Sequence, residues 1–226
     1  MPKFYLALLG FLLACSSETI PPDPDRVGFT YFPLQVGDFR IYQVHQEEFS
    51  IFAQSDTFDF QIKELVVDSF PAQNEFTYVL HRFSRADDTQ PWDLDSVWTA
   101  RRTANHAIRV ENNVPFAKIV FPVVLDKVWD GNVFNTRAPE DYQITDVGGS
   151  WDTPAENFTN TLTVFENQEP DTLIFQDIRQ SVYARNVGLI YRFSSILDFC
   201  NSEPSCLGTL EVGTKIEQVL IEYGME

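Results

Sequence analysis

Apolar and polar residues alternate along much of this chain, and the alternation is the feature that most limits its fold. Phe58, Phe60 and Ile62, for example, are separated by single polar residues. The same period recurs at Phe76/Tyr78/Leu80, Ile108/Val110, Tyr142/Ile144, Leu162/Val164 and Val219/Ile221/Tyr223. Because successive side chains of a strand point to opposite faces, each run predicts a strand with one buried face.

Turn-forming residues separate these runs and define the predicted fold class. They lie at residues 69–71, 130–132, 148–149, 169–171 and 186–188. Short strands joined by turns, without intervening helices, predict an all-β antiparallel fold: a single strongly curved sheet, or a sandwich or barrel-like domain. Within the apolar run 116–125, Pro122 argues against an uninterrupted central strand.

One segment, residues 173–184, fits two kinds of secondary structure. Ile174, Ile178 and Val182 fall at four-residue steps, a spacing that suits an amphipathic helix. The segment has no good helix C-cap, and it runs into residues 187–191 (VGLIY), which look like the return strand of a hairpin. We therefore predict a strand, with the helix as the alternative.

The first 15 residues predict export from the cytoplasm. Lys3 is followed by eleven almost wholly apolar residues (4–14, FYLALLGFLLA) and then by Cys15. This is the organisation of a secretory signal peptide, and it is too short for a membrane span of about 20 residues. The run LLAC is similar to the bacterial lipobox, which predicts removal of residues 1–14 and lipidation of Cys15. An ordinary secretory signal is the alternative.

The residues behind Cys15 predict a tether. Residues 16–28 (SSETIPPDPDRVG) contain three prolines and no periodic apolar pattern, so residues 15–28 are interpreted as a lipidated cysteine followed by a flexible, extended link. No linker composition interrupts the chain afterwards. We therefore expect residues 29–226 to form one β-rich domain.

Composition excludes several classes of partner. Removing residues 1–14 from the 226 leaves 212 residues, enough for a substantial core, and the 20 Phe and 8 Tyr argue against disorder. The chain carries 16 Lys and Arg against 33 Asp and Glu, a net charge of −17. Such acidity disfavours nucleic acid and electrostatic docking on anionic lipid.

The three cysteines fit an exported protein. If Cys15 carries lipid, Cys200 and Cys206 are left as a pair around a turn-forming pentapeptide (NSEPS), in a compartment that permits disulfides. We predict that these two form a disulfide. Two free thiols or a metal pair are the alternatives, although two ligands alone make a poor zinc site.

Three short stretches of the sequence combine aromatic residues with a glycine: residues 31–42 (YFPLQVGDFRIY), 128–135 (VWDGNVFN) and 183–190 (YARNVGLI). Together they resemble a group of uncharacterised outer-membrane lipoproteins from Bacteroidota. The first is similar to an opening Phe-Pro-Leu motif, the second to a Trp-x-Gly-Asn turn and the third to a Tyr-Ala-x-x-Val-Gly-Leu hairpin. The resemblance implies a β-rich, lipid-anchored domain. It implies no activity and no catalytic residues, and Phe39 stands where a Trp or Tyr is commoner.

The sequence contains no strong catalytic or metal-binding motif. His45, His81 and His106 are widely spaced, and no nucleophile elbow, P-loop or Gly-x-Gly-x-x-Gly is present. Among 33 acidic residues, neighbours such as Asp93 and Asp95 arise by chance. We therefore predict no catalytic residue, no metal site, no cofactor and no enzymatic activity.

Tryptophans are the remaining candidates for ligand contact. Of the four, Trp92 and Trp151 lie in polar, Asp-rich surroundings and are the pair most suited to exposure on the surface. They could form an aromatic platform for a glycan or an apolar ligand. Packing in the core or against turns is the alternative for each of the four.

These observations lead to one principal functional expectation and two others. The principal one is a non-enzymatic lipoprotein of the bacterial outer membrane, held by its N-terminal lipid and serving in binding or as an accessory to envelope proteins. The second is a carrier whose curved sheet encloses an apolar ligand such as a lipid. The third is a glycan-binding or glycan-hydrolysing surface protein, which would need two carboxylates converging in a cleft.

Overall fold

Twelve strands make up most of the part of the chain that the structure describes. A computed structural model of the chain describes residues 23–52, 54–72, 75–170 and 173–226. Ahead of the strands lie one short helix, α1 (Pro24–Val27), and one 3-10 turn (Phe29–Tyr31). The strands are β1 (Asp38–Phe49), β2 (Asp56–Ala72), β3 (Glu75–Arg85), β4 (Asp93–Arg102), β5 (His106–Glu111), β6 (Val114–Val120), β7 (Val128–Asp130), β8 (Asp141–Asp152), β9 (Asn157–Glu169), β10 (Phe175–Ala184), β11 (Gly188–Phe199) and β12 (Leu210–Met225).

All of these strands belong to one antiparallel sheet, which confirms the predicted fold class. The strand order is β6-β5-β4-β3-β2-β1-β12-β11-β10-β9-β8-β7, and the sheet curves until it nearly closes into a barrel. The segment 173–184, for which helix and strand were both considered, contains β10 and is therefore a strand. β6 ends at Val120, just before the cis peptide bond between Phe121 and Pro122.

The two edge strands meet through a few contacts around Trp129, and these contacts nearly close the sheet. The backbone N–H of Ala117, in β6, donates to the carbonyl of Gly131, which follows β7, over 2.9 Å. The indole Nε1 of Trp129 donates to the Ala117 carbonyl at 2.8 Å. A Cβ at Gly131 would lie 2.4 Å from the ring of Tyr142, so only glycine permits this approach.

The sheet has two ends that differ in what they hold. We call the end that contains the β10–β11 turn the near end, because the first described residues pack there. The other end, where β1, β9 and β11 end and β2, β10 and β12 begin, is the far end. Cys200 and Cys206 form a disulfide in the β11–β12 connection, as predicted from the cysteine count.

The N-terminal segment corrects part of the predicted tether. Residues 1–22, including the signal peptide and Cys15, lie outside the described residues. Residues 23–28, however, are not extended: Asp23 caps α1, and Gly28 ends it with a φ of 93°. The carbonyl of Val27 accepts a hydrogen bond from Val123, and Arg185 binds the carbonyl of Asp25 at 3.0 Å. Cap geometry and these contacts with the sheet override the polyproline tendency.

The side chains predicted to form the buried face of a strand lie on that face in most of the strands, but not in β12. Tyr142, Ile144, Leu162 and Val164 are buried, as their alternation predicts. In β12 the structure buries Gln218 and Leu220, whereas Val219, Ile221 and Tyr223 were the expected core residues. Opposite Ile41 and Tyr42 the register of β12 shifts by one residue. Such a bulge exchanges the two faces of a strand, so the pattern on one side of it cannot be extended to the other.

Candidate functional site

A cluster of charged side chains lies inside the curved sheet. We call it the central charge cluster, and it consists of Arg40, Glu64, Arg82, Arg109, Glu111, Lys118, Glu166 and Arg192. The residues Arg40, Glu64, Arg109, Lys118 and Glu166 are each at most 8% exposed. Charged residues are almost never this buried without partners. The cluster is therefore the most unusual feature of the interior.

Several strands carry these charges on their apolar face. Glu64 follows Phe60 and Ile62 at two-residue spacing, and Arg82 follows Leu80 in the same way. Glu166 likewise follows Val164. Side chains two residues apart share a face, so the core face continues directly into the cluster. The sequence contains this spacing, but alternation of apolar residues does not by itself show that a charged residue at the end of a run continues the buried face.

Glu64 binds two arginines and forms the centre of one half of the cluster. One of its oxygens accepts from Nε of Arg82 at 3.1 Å and from Nη2 of Arg109. Both guanidinium groups also stack on the ring of Trp98, 3.8 and 4.6 Å from its centroid. On its outer side Arg82 also meets the exposed carboxylate of Asp95 at 3.7 Å. These contacts hold the two arginines in fixed positions.

Glu111 and Glu166 form the other half of the cluster with Lys118. The ammonium Nζ lies 3.4 Å from a Glu111 oxygen and 3.5 Å from Glu166. Glu111 also lies 3.5 Å from Nε of Arg109 and 3.7 Å from Nη1 of Arg192. The hydroxyl of Ser181 donates to Glu166 at 2.8 Å. Each of the three carboxylates thus contacts at least one cation.

The surrounding cations hold these carboxylates in the charged form. Burial by itself raises the pKa of Glu64, but the charges of Arg109 and Arg82 more than offset it and bring the pKa below its usual value. For Glu111, burial is likewise outweighed by Lys118 and Arg192, which lower the pKa strongly. The pKa of Glu166 is lowered by Lys118 and Arg192 against the same opposing effect of burial.

These lowered pKa values predict how stability depends on pH. In the unfolded chain the three glutamates titrate near 4.5, so at and below that pH the unfolded state binds more protons than the folded state. We expect full stability from this source above about pH 5, and loss as the pH falls through 4.5 toward the folded pKa values. Urea unfolding at a series of pH values between 3 and 7 measures this change in the free energy of unfolding. In a Glu111→Gln variant the free energy of unfolding should depend less steeply on pH. An unchanged pH dependence would contradict the prediction.

A small cavity lies against the cluster. Its volume is about 30 Å³, and its lining includes Phe32, Pro33, Leu34, Tyr42 and Tyr183 together with six members of the cluster. Four of those six are cations (Arg40, Arg109, Lys118, Arg192) and two are carboxylates (Glu64, Glu111). One water molecule needs about 10–15 Å³ measured in this way, so the cavity has room for roughly two or three.

This interior does not suit the expected apolar carrier. Pockets for drug-sized or lipid-like ligands measure about 300–1,000 Å³ and are lined mainly by apolar side chains. The central cavity, at about 30 Å³, is smaller by a factor of at least about ten and bears charged side chains. The phenylalanines, which would suit the lining of a lipid cavity, include residues packed in the core and residues on the surface: Phe121 is 2% exposed, for example, and Phe52 is 92% exposed.

The two tryptophans proposed as a ligand platform lie at opposite ends of the sheet. Trp92 precedes β4 at the far end, where the guanidinium of Arg85 stacks 4.1 Å from its ring centroid. Trp151 is near the end of β8 at the near end, 4.9 Å from the ring of Tyr191. Both are half-buried. The structure therefore does not bring them together into one site.

Two further groups of titratable side chains lie outside the central charge cluster. His45 lies on the surface beside Asp59, whose hydrogen bond at 2.8 Å raises the histidine pKa. At the far end, Glu140 and Asp177 are both bound by Arg179. Within the described residues, no group of three or more His, Cys, Asp or Glu could hold a metal ion. No helix in that same part of the chain is long and apolar enough to cross a membrane.

Comparison with known proteins gives two structural likenesses. No protein-family model matches the sequence, and no curated protein matches it. One similar structure, from Bacteroides fragilis, is provisionally described as an exported protein with a YmcC-like fold. Its sequence identity to this chain is 12% and the TM-score is 0.46; the match covers 85% of this chain and 98% of that chain. The other, provisionally described as a lipoprotein from Parabacteroides distasonis, has 10% identity, a TM-score of 0.42 and coverage of 86% and 98%. Neither likeness assigns an activity.

Proposed function

We propose that this protein is a lipid-anchored, non-enzymatic domain of the bacterial outer membrane that binds a ligand in its central cavity. The observation that carries the binding role is the lining of that cavity, in which four cations face two carboxylates. Burying charge is costly, and an excess of one sign costs more than a balanced set. A bound group of opposite charge would offset that cost.

The state of the cluster supports a binding role over catalysis. A general acid needs a pKa close to the working pH, whereas the pKa values of Glu64, Glu111 and Glu166 are all lowered. None of the three histidines is among the residues that line the cavity. Charged groups held in one protonation state suit the recognition of a ligand better than the transfer of protons.

The docked N-terminal segment supports a defined orientation at the membrane. Residues 23–28 pack at the near end, and residues 16–22 separate them from Cys15. Eight peptide steps from Cys15 to Asp23 span at most roughly 28 Å. With Cys15 lipidated, the near end would face the membrane. The far-end loops would point away from it, toward the envelope proteins with which an accessory domain would interact.

Labelling with radioactive palmitate tests the anchor. We expect the wild-type protein to incorporate label and to fractionate with the outer membrane, because stable anchoring requires the several acyl chains of a mature lipoprotein. The Cys15→Ala variant should lose both properties. A Cys200→Ala/Cys206→Ala variant serves as the matched control and should keep the label. Outer-membrane fractionation of Cys15→Ala would refute the anchor.

A further inference from the structure

Arg40 is a buried cation that forms no ion pair with any of the described residues. It is 8% exposed, and its Nε donates to the backbone carbonyl of Val187. Among the described residues, its terminal nitrogens make no hydrogen bond, and no carboxylate lies within 4.0 Å of it. Five donors are available on a guanidinium, and one of them is used here. Arg40 therefore presents unused donors beside the cavity that it lines.

The backbone at Gly188 passes close to the guanidinium of Arg40. Gly188 follows the β10–β11 turn with a φ of 91°, and a Cβ there would lie 3.1–3.2 Å from Nε and Nη2 of Arg40. The glycine thus lets the strand pass close to the guanidinium. Gly188 itself lines the cavity, so Arg40 and its surroundings form one wall of it.

A second unused donor belongs to Arg109, which also lines the cavity. Among the described residues, Nε of Arg109 is buried without a hydrogen-bond partner, and the carboxylate of Glu111 lies 3.5 Å from it. Lys118 and Arg192 also line the cavity, and both share Glu111 as a partner. The positive charges around the cavity thus exceed the negative ones, although the chain as a whole has a net charge of −17.

We propose that the central cavity binds a small anion, either a free ion such as chloride or formate or the carboxylate group of a longer molecule, with Arg40 as its principal partner. The proposal rests on the proposed function only in treating the cavity as a binding site, and it is independent of the lipid anchor. The volume of about 30 Å³ limits the bound group to roughly two or three heavy atoms. Sulfate and phosphate, with five, are too large.

Chloride NMR on the mature protein in neutral detergent tests the site. At constant ionic strength, we expect wild-type protein to broaden the ³⁵Cl resonance and formate to reverse the broadening, whereas sulfate does not. The Arg40→Met variant should weaken chloride binding by about tenfold or more, because it removes a charge-assisted donor. Arg101→Met is the matched control: Arg101 is a half-buried residue of β4 outside the cluster, and its variant should bind chloride like the wild type.

The competitor series distinguishes the two sources of the anionic group. Displacement by formate and not by butyrate would assign a free small ion, and displacement by both would assign the carboxylate of a longer ligand. Equal broadening by the wild type and by Arg40→Met would overturn the proposal, as would failure of formate to compete. Palmitate labelling would be unaffected by either result, so a failure here leaves the anchor to be judged separately.

A second measurement covers the case in which Arg40→Met does not fold. Crystals of the wild-type protein soaked in bromide should then show an anomalous peak in contact with the Arg40 guanidinium. Bromide found at other sites and absent from the cavity would overturn the proposal.

Discussion

Replacing Glu64 with Ala is expected to destabilise the protein by about 3–5 kcal/mol, measured by urea unfolding at pH 7. Glu64 is 2% exposed and is a shared partner of Arg82 and Arg109. Its removal leaves two guanidinium groups facing each other with less opposing charge. The cost arises mainly from that uncompensated charge, since the net value of an intact buried ion pair is small.

Two comparison variants separate charge from side-chain volume. Glu64→Gln keeps the shape of the side chain and removes its charge, so it should destabilise the protein almost as much as Glu64→Ala does. Glu222→Ala removes a carboxylate from an exposed position of β12 and should change the stability by less than about 0.5 kcal/mol. If Glu64→Ala cost no more than Glu222→Ala, the central charge cluster would not contribute to the stability of the fold.

Replacing Trp129 with Ala is expected to cost about 3–5 kcal/mol in the free energy of unfolding. The ring is 9% exposed, packs 5.9 Å from the ring of Tyr142 and bonds to the Ala117 carbonyl at 2.8 Å. Truncation would create a cavity where the two edge strands meet. It would also leave the Ala117 carbonyl without this donor.

The same substitution at Trp92 provides the control. Trp92 is half-buried in the β3–β4 loop and stacks with Arg85, so Trp92→Ala should cost only about 1 kcal/mol. Trp129→Phe retains part of the ring volume and loses the indole donor. Its loss in the free energy of unfolding should therefore lie between those of Trp129→Ala and Trp92→Ala. Equal stabilities for Trp129→Ala and Trp92→Ala would show that the edge contact is not a main determinant of stability.

Local patterns in the sequence predicted the strands well because a strand leaves a direct two-residue signature. Tyr142, Ile144, Leu162 and Val164 are buried as their spacing indicates, and the Cys200–Cys206 pair is a disulfide. The prediction failed where a single residue shifted the register, as at Ile221 in β12. It failed again at residues 23–28, whose conformation depends on contacts with Val123 and Arg185.

The central charge cluster could not be assembled from the sequence. Arg40, Glu64, Arg109, Lys118 and Glu166 come from five strands, and up to 126 positions separate them along the chain. Periodicity places each on a face of its own strand, but it says nothing about which strands become neighbours or how strongly the sheet curves. The pairing of Glu64 with Arg109, 45 positions away, exists only because the sheet curls back on itself.

The sequence by itself determined that the chain forms antiparallel strands, because alternation and turn chemistry act over a few neighbouring residues. It also predicted export and lipidation at Cys15, which stay predictions. Only the tertiary structure decided that one nearly closed sheet encloses a set of buried charges and leaves Arg40 without a carboxylate partner among the described residues. Electrostatic compensation depends on distances of a few ångströms between residues remote in the chain, and folding alone sets those distances.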